Sequence, residues 1–318
     1  LKGSLWARAG LWWSEADRWV TRLQGVSRGA ADGFFGAALR PEEKAALGRA
    51  LYDRTPFFQG EGLQGWEARW LEARLPPAPA RVLVGGAGAG RELLWLCARG
   101  YTLGALEPSP RLAGLARERL GAGAQLWEGD YEGWSGLVLE GVGDGPEWLC
   151  GPWDAVLLGW GSLTHVVSPA AQRRALEAAA RCCPQGPILL SAWVEGHPGA
   201  PRLWRGAAHR AAARLGEAVG ARRGAPPRGR GERFVLGLGS GWTFTRAEVE
   251  ALGESIGRRV CWEGDPDTYA HATLLPPPPP PAGVSTPATP STVVEGGVGV
   301  DDAFGVRLPL LVSAVERA

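Results

Sequence analysis

The stretch Arg81-Val82-Leu83-Val84-Gly85-Gly86-Ala87-Gly88-Ala89-Gly90-Arg91-Glu92 constrains the fold more than any other part of the chain. Arg81 to Val84 read as a buried strand, the glycines as a tight turn, and Arg91-Glu92 as the opening of a helix. Glycine takes positive φ and allows a ligand close to the backbone, and a helix start offers unpaired N–H groups. A second apolar run, Leu103-Gly104-Ala105-Leu106, ends in Glu107, fifteen residues past Glu92. An acid there stands where a ribose diol needs an acceptor. The whole reads as a nucleotide-cofactor cradle on a βαβ unit.

The glycines follow Gly86-x-Gly88-x-Gly90, not the Gly-x-Gly-x-x-Gly dinucleotide fingerprint, because position 91 is Arg. That spacing argues against a pyrophosphate ligand. With the second-strand acid, the pattern resembles the first two motifs of the class I S-adenosylmethionine-dependent methyltransferases, whose cofactor carries no phosphate and lays its methionine part over the glycine turn. The resemblance implies S-adenosylmethionine as cofactor, with Gly86, Ala87, Gly88, Gly90, Glu107 and Pro108 at its site. One position departs from the pattern: two residues before the first glycine the family often has Asp or Glu, to meet the cofactor's ammonium group, and here stands Val84. The bland alternative is a glycine turn that closes an ordinary βα unit and binds nothing.

At 318 residues the chain can form one large α/β domain with additions, or two domains. Lys and Arg total 34 against 33 for Asp and Glu, so no net field draws it to nucleic acid or an anionic membrane. A local exception is the loop holding Arg222, Arg223, Arg228, Arg230 and Arg233, which suits an acidic partner or simply a flexible solvated loop. Without interleaved aromatics or a nucleic-acid motif the solvated reading is preferred, and no nucleic-acid partner is expected. Cys97, Cys150, Cys182, Cys183 and Cys261 show no metal-ligand spacing, so no metal is expected and buried reduced thiols are. No signal peptide or membrane span is readable, which makes a cytoplasmic location and no membrane partner the expectation.

Residues 1–76 read as an N-terminal helical cap, with helices over Ser14 to Leu23, Pro41 to Tyr52 and Gly65 to Leu75. Tyr52, Phe57 and Phe58 either line a lid over the cofactor or pack a core. Residues 77–275 read as the cofactor-binding domain. Its strands are expected at Arg81 to Val84, Thr102 to Leu106, Gln125 to Trp127, Trp153 to Leu158 and Pro187 to Trp193, alternating with helices at Glu92 to Arg99, Ser109 to Leu120 and Ala170 to Cys182. Residues 195–244 interrupt this order with a helix near Leu203 to Val219, the arginine loop and a glycine-rich turn around Gly237 to Gly241, and read as a substrate cap. A capped helix, Thr245 to Ile256, then leads to a closing hairpin of Val260 to Glu263 and Tyr269 to Leu274, turning at Asp265-Pro266-Asp267. A reversed last strand matches the resembled fold. The expected class is therefore a doubly wound, mostly parallel, seven-stranded Rossmann-like sheet. Residues 276–318, opening on Pro276 to Pro281, read as a low-complexity tail, with an apolar segment at Phe304 to Val315.

Beyond the glycine turn, the resemblance implies that Asp130 accepts from the adenine amino group, that Tyr131 flanks the ring, and that Gly159 and Trp160 pass beside the methionine and sulfonium. Asp130 is equally a residue of a Gly-Asp turn. Methyl transfer needs alignment and exclusion of water, with a base optional. His165 leads the candidate bases, because an unperturbed imidazole titrates near neutrality and ligands of such sheets bind beyond the carboxyl ends of strands. Glu195, His197, His209 and His271 are weaker candidates. The expected function is methyl transfer to a small-molecule acceptor, against a catalytically silent cofactor-binding or scaffold protein, or an NAD(P)-dependent oxidoreductase, which the absence of a Tyr-x-x-x-Lys pair disfavours.

Overall fold

The structure, a computed structural model, describes residues 5–54, 62–198, 200, 206–264 and 269–278. The chain divides into two compact units, Leu1–Pro277 and Pro278–Ala318. The expectations for the proline run beyond residue 278, the tail, Phe57, Phe58 and the Asp265-Pro266-Asp267 turn lie outside the described residues.

Five strands run parallel: β1 (Arg81–Gly85), β2 (Thr102–Leu106), β3 (Ala124–Trp127), β4 (Ala155–Leu158) and β5 (Ile188–Ala192). The insertion hairpin of β6 (Glu232–Val235) and β7 (Gly239–Trp242) stands apart from them as a two-stranded sheet. The closing pair is β8 (Arg259–Trp262) and β9 (Ala270–Leu275), and β9 lies antiparallel to both β5 and β8. The main sheet has the order β3-β2-β1-β4-β5-β9-β8. Every residue of β4 and β5 is buried, as sheets covered on both faces require. The order reverses between β1 and β4, so the crevice beyond Gly85 and Leu158 is the ligand position that this topology creates.

Helices cover both faces. α3 (Gly65–Arg74) and α4 (Arg91–Cys97) pack Trp70, Leu71 and Leu93 on one side of the sheet. α6 (Tyr131–Glu140), α7 (Pro169–Cys182) and α9 (Arg246–Ser255) bury Trp134, Leu176 and Val249 on the other. Side-chain caps set the starts: Ser109 accepts from Leu112 N at α5 (Pro110–Leu120), and Thr245 and Glu248 form the expected capping box at α9.

The largest departure from the sequence reading is α1, a single helix of 34 residues from Leu5 to Ala38. The sequence predicts a helix here only over Ser14 to Leu23, and Gly25, Gly29, Gly33 and Gly36 beyond it have poor helix propensity. Packing overrides propensity here. α1 lies against α8 (Ala207–Arg222), and the contact is so close that a Cβ on Gly33 would strike the backbone of His209 and Ala213. From the other side, a Cβ on Gly216 would meet Phe34 O at 2.5 Å, and one on Gly220 would strike Ala37 O. These glycines are the helix crossing.

The arginine loop is solvated at Arg222, Arg223 and Arg230, as the sequence suggests, but not at Arg228. Arg228 forms an ion pair with Asp32, which is 1% exposed on α1, and donates to Glu232 O at 2.9 Å. Asp32 also accepts from Phe234 N at 2.7 Å, so one buried carboxylate fastens α1 to β6. Beneath it Lys44 on α2 (Pro41–Arg54) and Glu232 form a buried ion pair at 2.5 Å. Of the cysteines, Cys182 and Cys183 are buried as expected, whereas Cys97 and Cys150 are exposed. Among the described residues no helix is long and apolar enough to cross a membrane, and no cluster of potential metal ligands occurs.

Candidate active site

A cavity of about 590 Å³ occupies the crevice beyond β1 and β4. Its floor is the glycine turn. Gly86, Gly88 and Gly90 adopt φ of 64°, 55° and 86°, in the region where side chains are disfavoured. The turn is packed at one end and open at the other. A Cβ on Gly86 would meet Ser162 Cβ at 2.7 Å, while one on Gly88 would meet nothing within 4 Å and would stand in the cavity.

Glu107 follows β2 and faces this open glycine. One carboxylate oxygen accepts from Gly88 N at 2.8 Å and the other from Ser109 N at 2.9 Å, so both are fixed while retaining lone pairs for a ligand. Burial pushes its pKa up to about 7. The two backbone donors oppose that rise, and the nearby carboxylates of Asp53 and Glu92 add to it. Asp53 in turn accepts from the Ser109 hydroxyl, which ties the last turn of α2 to the segment after β2.

Arg91, the residue that breaks the dinucleotide fingerprint, acts as a clamp. Its guanidinium spans Glu67 of α3 at 2.5 and 2.7 Å, meets Glu92 at 2.8 Å and lies 4.0 Å from the centre of the Trp160 ring. Trp160 has φ of 48°, rare for a residue with a side chain, and is flanked by Gly159 and Gly161 at the end of β4. The Arg91 and Tyr269 contacts hold it there. Sequence reasoning missed Glu67 and Glu92, whose spacing carries no motif.

Asp130 lines the cavity and is exposed, and one of its oxygens accepts from Gly133 N at 2.9 Å as the N-cap of α6. The capping and cavity-lining positions coincide. Tyr131 also lines the cavity, with 8% of its surface exposed, its hydroxyl 2.7 Å from Ser162 Oγ and its ring beneath Gly85. Ala87, Pro108, Gly159 and Trp160 line the cavity too, whereas Gly90 packs against Ala116 behind the turn.

His165 follows β4 in a short turn, Ser162–His165, and lines the cavity. Its Nδ1 lies 3.4 Å from Ser240 O, an atom that can only accept, so the proton resides on Nδ1. Nε2 is then the acceptor for the Tyr52 hydroxyl. Burial lowers the His165 pKa to about 4, well below the near-neutral value the sequence suggests, and raises that of Tyr52. The pair is therefore neutral near pH 7.

The weaker candidates lie elsewhere. His271 is buried between Trp66 and Trp70, with Nδ1 on Tyr269 O at 2.8 Å. His209 donates to Gly29 O at 2.9 Å in the α1–α8 contact. Glu195 and His197 sit in the loop after β5, outside the cavity lining.

The sheet is the one that the resemblance to class I methyltransferases implies, including the reversed strand β9. No protein-family model matches the chain, and no curated protein matches it. Similar solved structures include the 1,6-didemethyltoxoflavin-N1-methyltransferase of Burkholderia thailandensis with bound 1,6-didemethyltoxoflavin and S-adenosylhomocysteine. It is 19% identical, with 75% of this chain and 91% of that one covered and a TM-score of 0.48. The magnesium protoporphyrin IX methyltransferase of Synechocystis is 14% identical over 76% of this chain and 99% of that one, with a TM-score of 0.45. An amino pentose methyltransferase of Micromonospora echinaspora is 19% identical over 74% and 97%, with a TM-score of 0.43.

Proposed function

We infer that the chain is an S-adenosylmethionine-dependent methyltransferase acting on a small-molecule acceptor. The observation that carries this reading is the Glu107 carboxylate, fixed by Gly88 N and Ser109 N beside an open glycine turn at the switch point of the sheet. The residues suit the cofactor's chemistry: Glu107 takes the ribose hydroxyls, Asp130 meets the adenine amino group and the Gly159-Trp160 backbone borders the methionine end. They do not suit a dinucleotide. A pyrophosphate laid on this turn would face Glu92 and Glu107, while Arg91 is already engaged by Glu67 and Glu92. When bound, S-adenosylmethionine supplies a methyl group on a cationic sulfur, open to in-line displacement.

The protein's own part is enclosure and alignment. α2 and β7 contribute Pro41, Ala45, Gly48 and Ser240 to the cavity wall, together with Val166 and Val167. A volume near 590 Å³ falls within the range of small-molecule sites. The Tyr52 hydroxyl and His165 line the cavity as a neutral hydrogen-bonded pair, and with the His165 pKa at about 4 they orient the acceptor rather than store its proton, which leaves to solvent. The N-terminal helices and residues 195–244 serve as the acceptor cap in this reading.

Isothermal calorimetry with S-adenosylmethionine, S-adenosylhomocysteine and NAD(H) tests it. Binding of the first two without the third is expected. Binding of NAD(H) alone, or of none, overturns it.

A further inference from the structure

The cavity is short of positive charge. Glu67, Glu92 and Glu107 are all buried around the glycine turn, at 4%, 7% and 5% exposure. The one guanidinium among them, Arg91, is spanned by both oxygens of Glu67 before it reaches Glu92. Lys44, the other buried cation of the lining, is taken by Glu232 at 2.5 Å, and Arg49 is exposed at the rim. One arginine therefore offsets one of three acids. A buried carboxylate without a matching cation is costly, and a bound cation removes the cost.

Glu92 is the acid best placed to meet that cation. It occupies the first turn of α4, directly behind the glycine turn, and its Oε1 lies 3.4 Å from where a Cβ on Gly159 would be. The carboxylate thus stands between the end of β1 and the end of β4. Val84, the strand residue where the resembled family often carries an acid, is 1% exposed and packed among Leu93 and Leu157. It offers the cavity nothing.

Resting on the methyltransferase reading, we propose that Glu92 receives the α-ammonium group of the cofactor's amino-acid part, with a helix residue doing what the strand-end acid does elsewhere. Burial, the largest influence, holds the Glu92 pKa above the ordinary carboxylate value while the cavity lacks a cation. Arg91 holds Glu92 in place from the other side. Glu92 and Glu107 then grip the two ends of one ligand, ammonium and ribose, across the open Gly88.

The test compares two stable thioethers on the full chain by calorimetry: S-adenosylhomocysteine and 5′-methylthioadenosine, which has the same adenosine and sulfur but no amino acid. Wild type should bind S-adenosylhomocysteine at least tenfold more tightly. Glu92→Gln should lose at least tenfold in affinity for S-adenosylhomocysteine and change less than threefold for methylthioadenosine. Equal losses for both ligands, or no loss for either, overturn the assignment. Should the variant not fold, the desamino analogue of S-adenosylhomocysteine on wild type replaces it: at least tenfold weaker binding is expected, and equal binding overturns the proposal. If wild type binds S-adenosylhomocysteine but does not distinguish these analogues, Glu92 alone is removed. If it binds no adenosyl ligand at all, the methyltransferase reading falls with it.

Discussion

The carboxylate of Glu107 accepts the backbone N–H of Gly88 at 2.8 Å, joining the end of β2 to the turn after β1. Parallel pairing brings them together, with Val84 opposite Ala105 and Gly85 opposite Leu106.

That relationship makes ligand binding depend on pH. Burial leaves Glu107 with a pKa of about 7, with Asp53 and Glu92 adding to the rise against the Ser109 and Gly88 donors. Ligand hydroxyls donate to the ionised carboxylate, so affinity should rise with pH and level off above 7. At pH 6 binding should be about tenfold weaker than at pH 8. Calorimetry with S-adenosylhomocysteine in two buffers of different ionisation enthalpy should also show proton release on binding below pH 7. A flat profile contradicts the ionisation.

His165 should leave its mark on stability. Its folded pKa of about 4 lies below the 6.5 of an exposed imidazole. Between those values the unfolded chain takes up a proton that the folded one refuses, so stability falls as pH drops from 6.5 toward 4. Urea unfolding should show wild type losing about 2 kcal/mol more than His165→Gln between pH 7.5 and pH 5. Equal losses in the two proteins would mean that the imidazole is not held neutral.

Asp32 should matter well beyond a surface acid. It is 1% exposed, paired with Arg228 and bonded to Phe234 N, and it lies 3.3 Å from His209 Nδ1. Asp32→Ala strands a largely enclosed guanidinium, that of Arg228, and removes the acceptor of Phe234 N. Loss of about 3 to 5 kcal/mol is expected by urea unfolding. A change below about 1 kcal/mol would show that the contact is solvated.

The sequence carried the sheet because parallel strands are apolar on both faces and end in glycine or acid, signals visible one residue at a time. β1 and β2 were legible on those grounds, β9 from its hairpin with the reversal implied by the resemblance, and the start of α9 from the capping box of Thr245 and Glu248. α6 was not: Gly133 and Gly136 obscure a helix whose start is set by the Asp130 cap. The same opacity hid α1, where Gly33 serves a partner 180 residues away that no local pattern reveals. In the site, Glu107 and the glycines were readable from spacing. Glu67, Glu92 and the Tyr52–His165 bond were not, since each depends on tertiary approach of elements with no shared motif.

The most direct measurement is S-adenosylmethionine affinity in wild type and Glu107→Ala, by calorimetry at pH 8 where the carboxylate is ionised, with unfolding curves to confirm that both proteins are folded. Removing a charged acceptor from the ribose hydroxyls should weaken binding by about 1 to 3 kcal/mol. Unchanged affinity in a folded variant would contradict the assignment of Glu107, and with it the placement of the cofactor over the Gly86 to Gly90 turn.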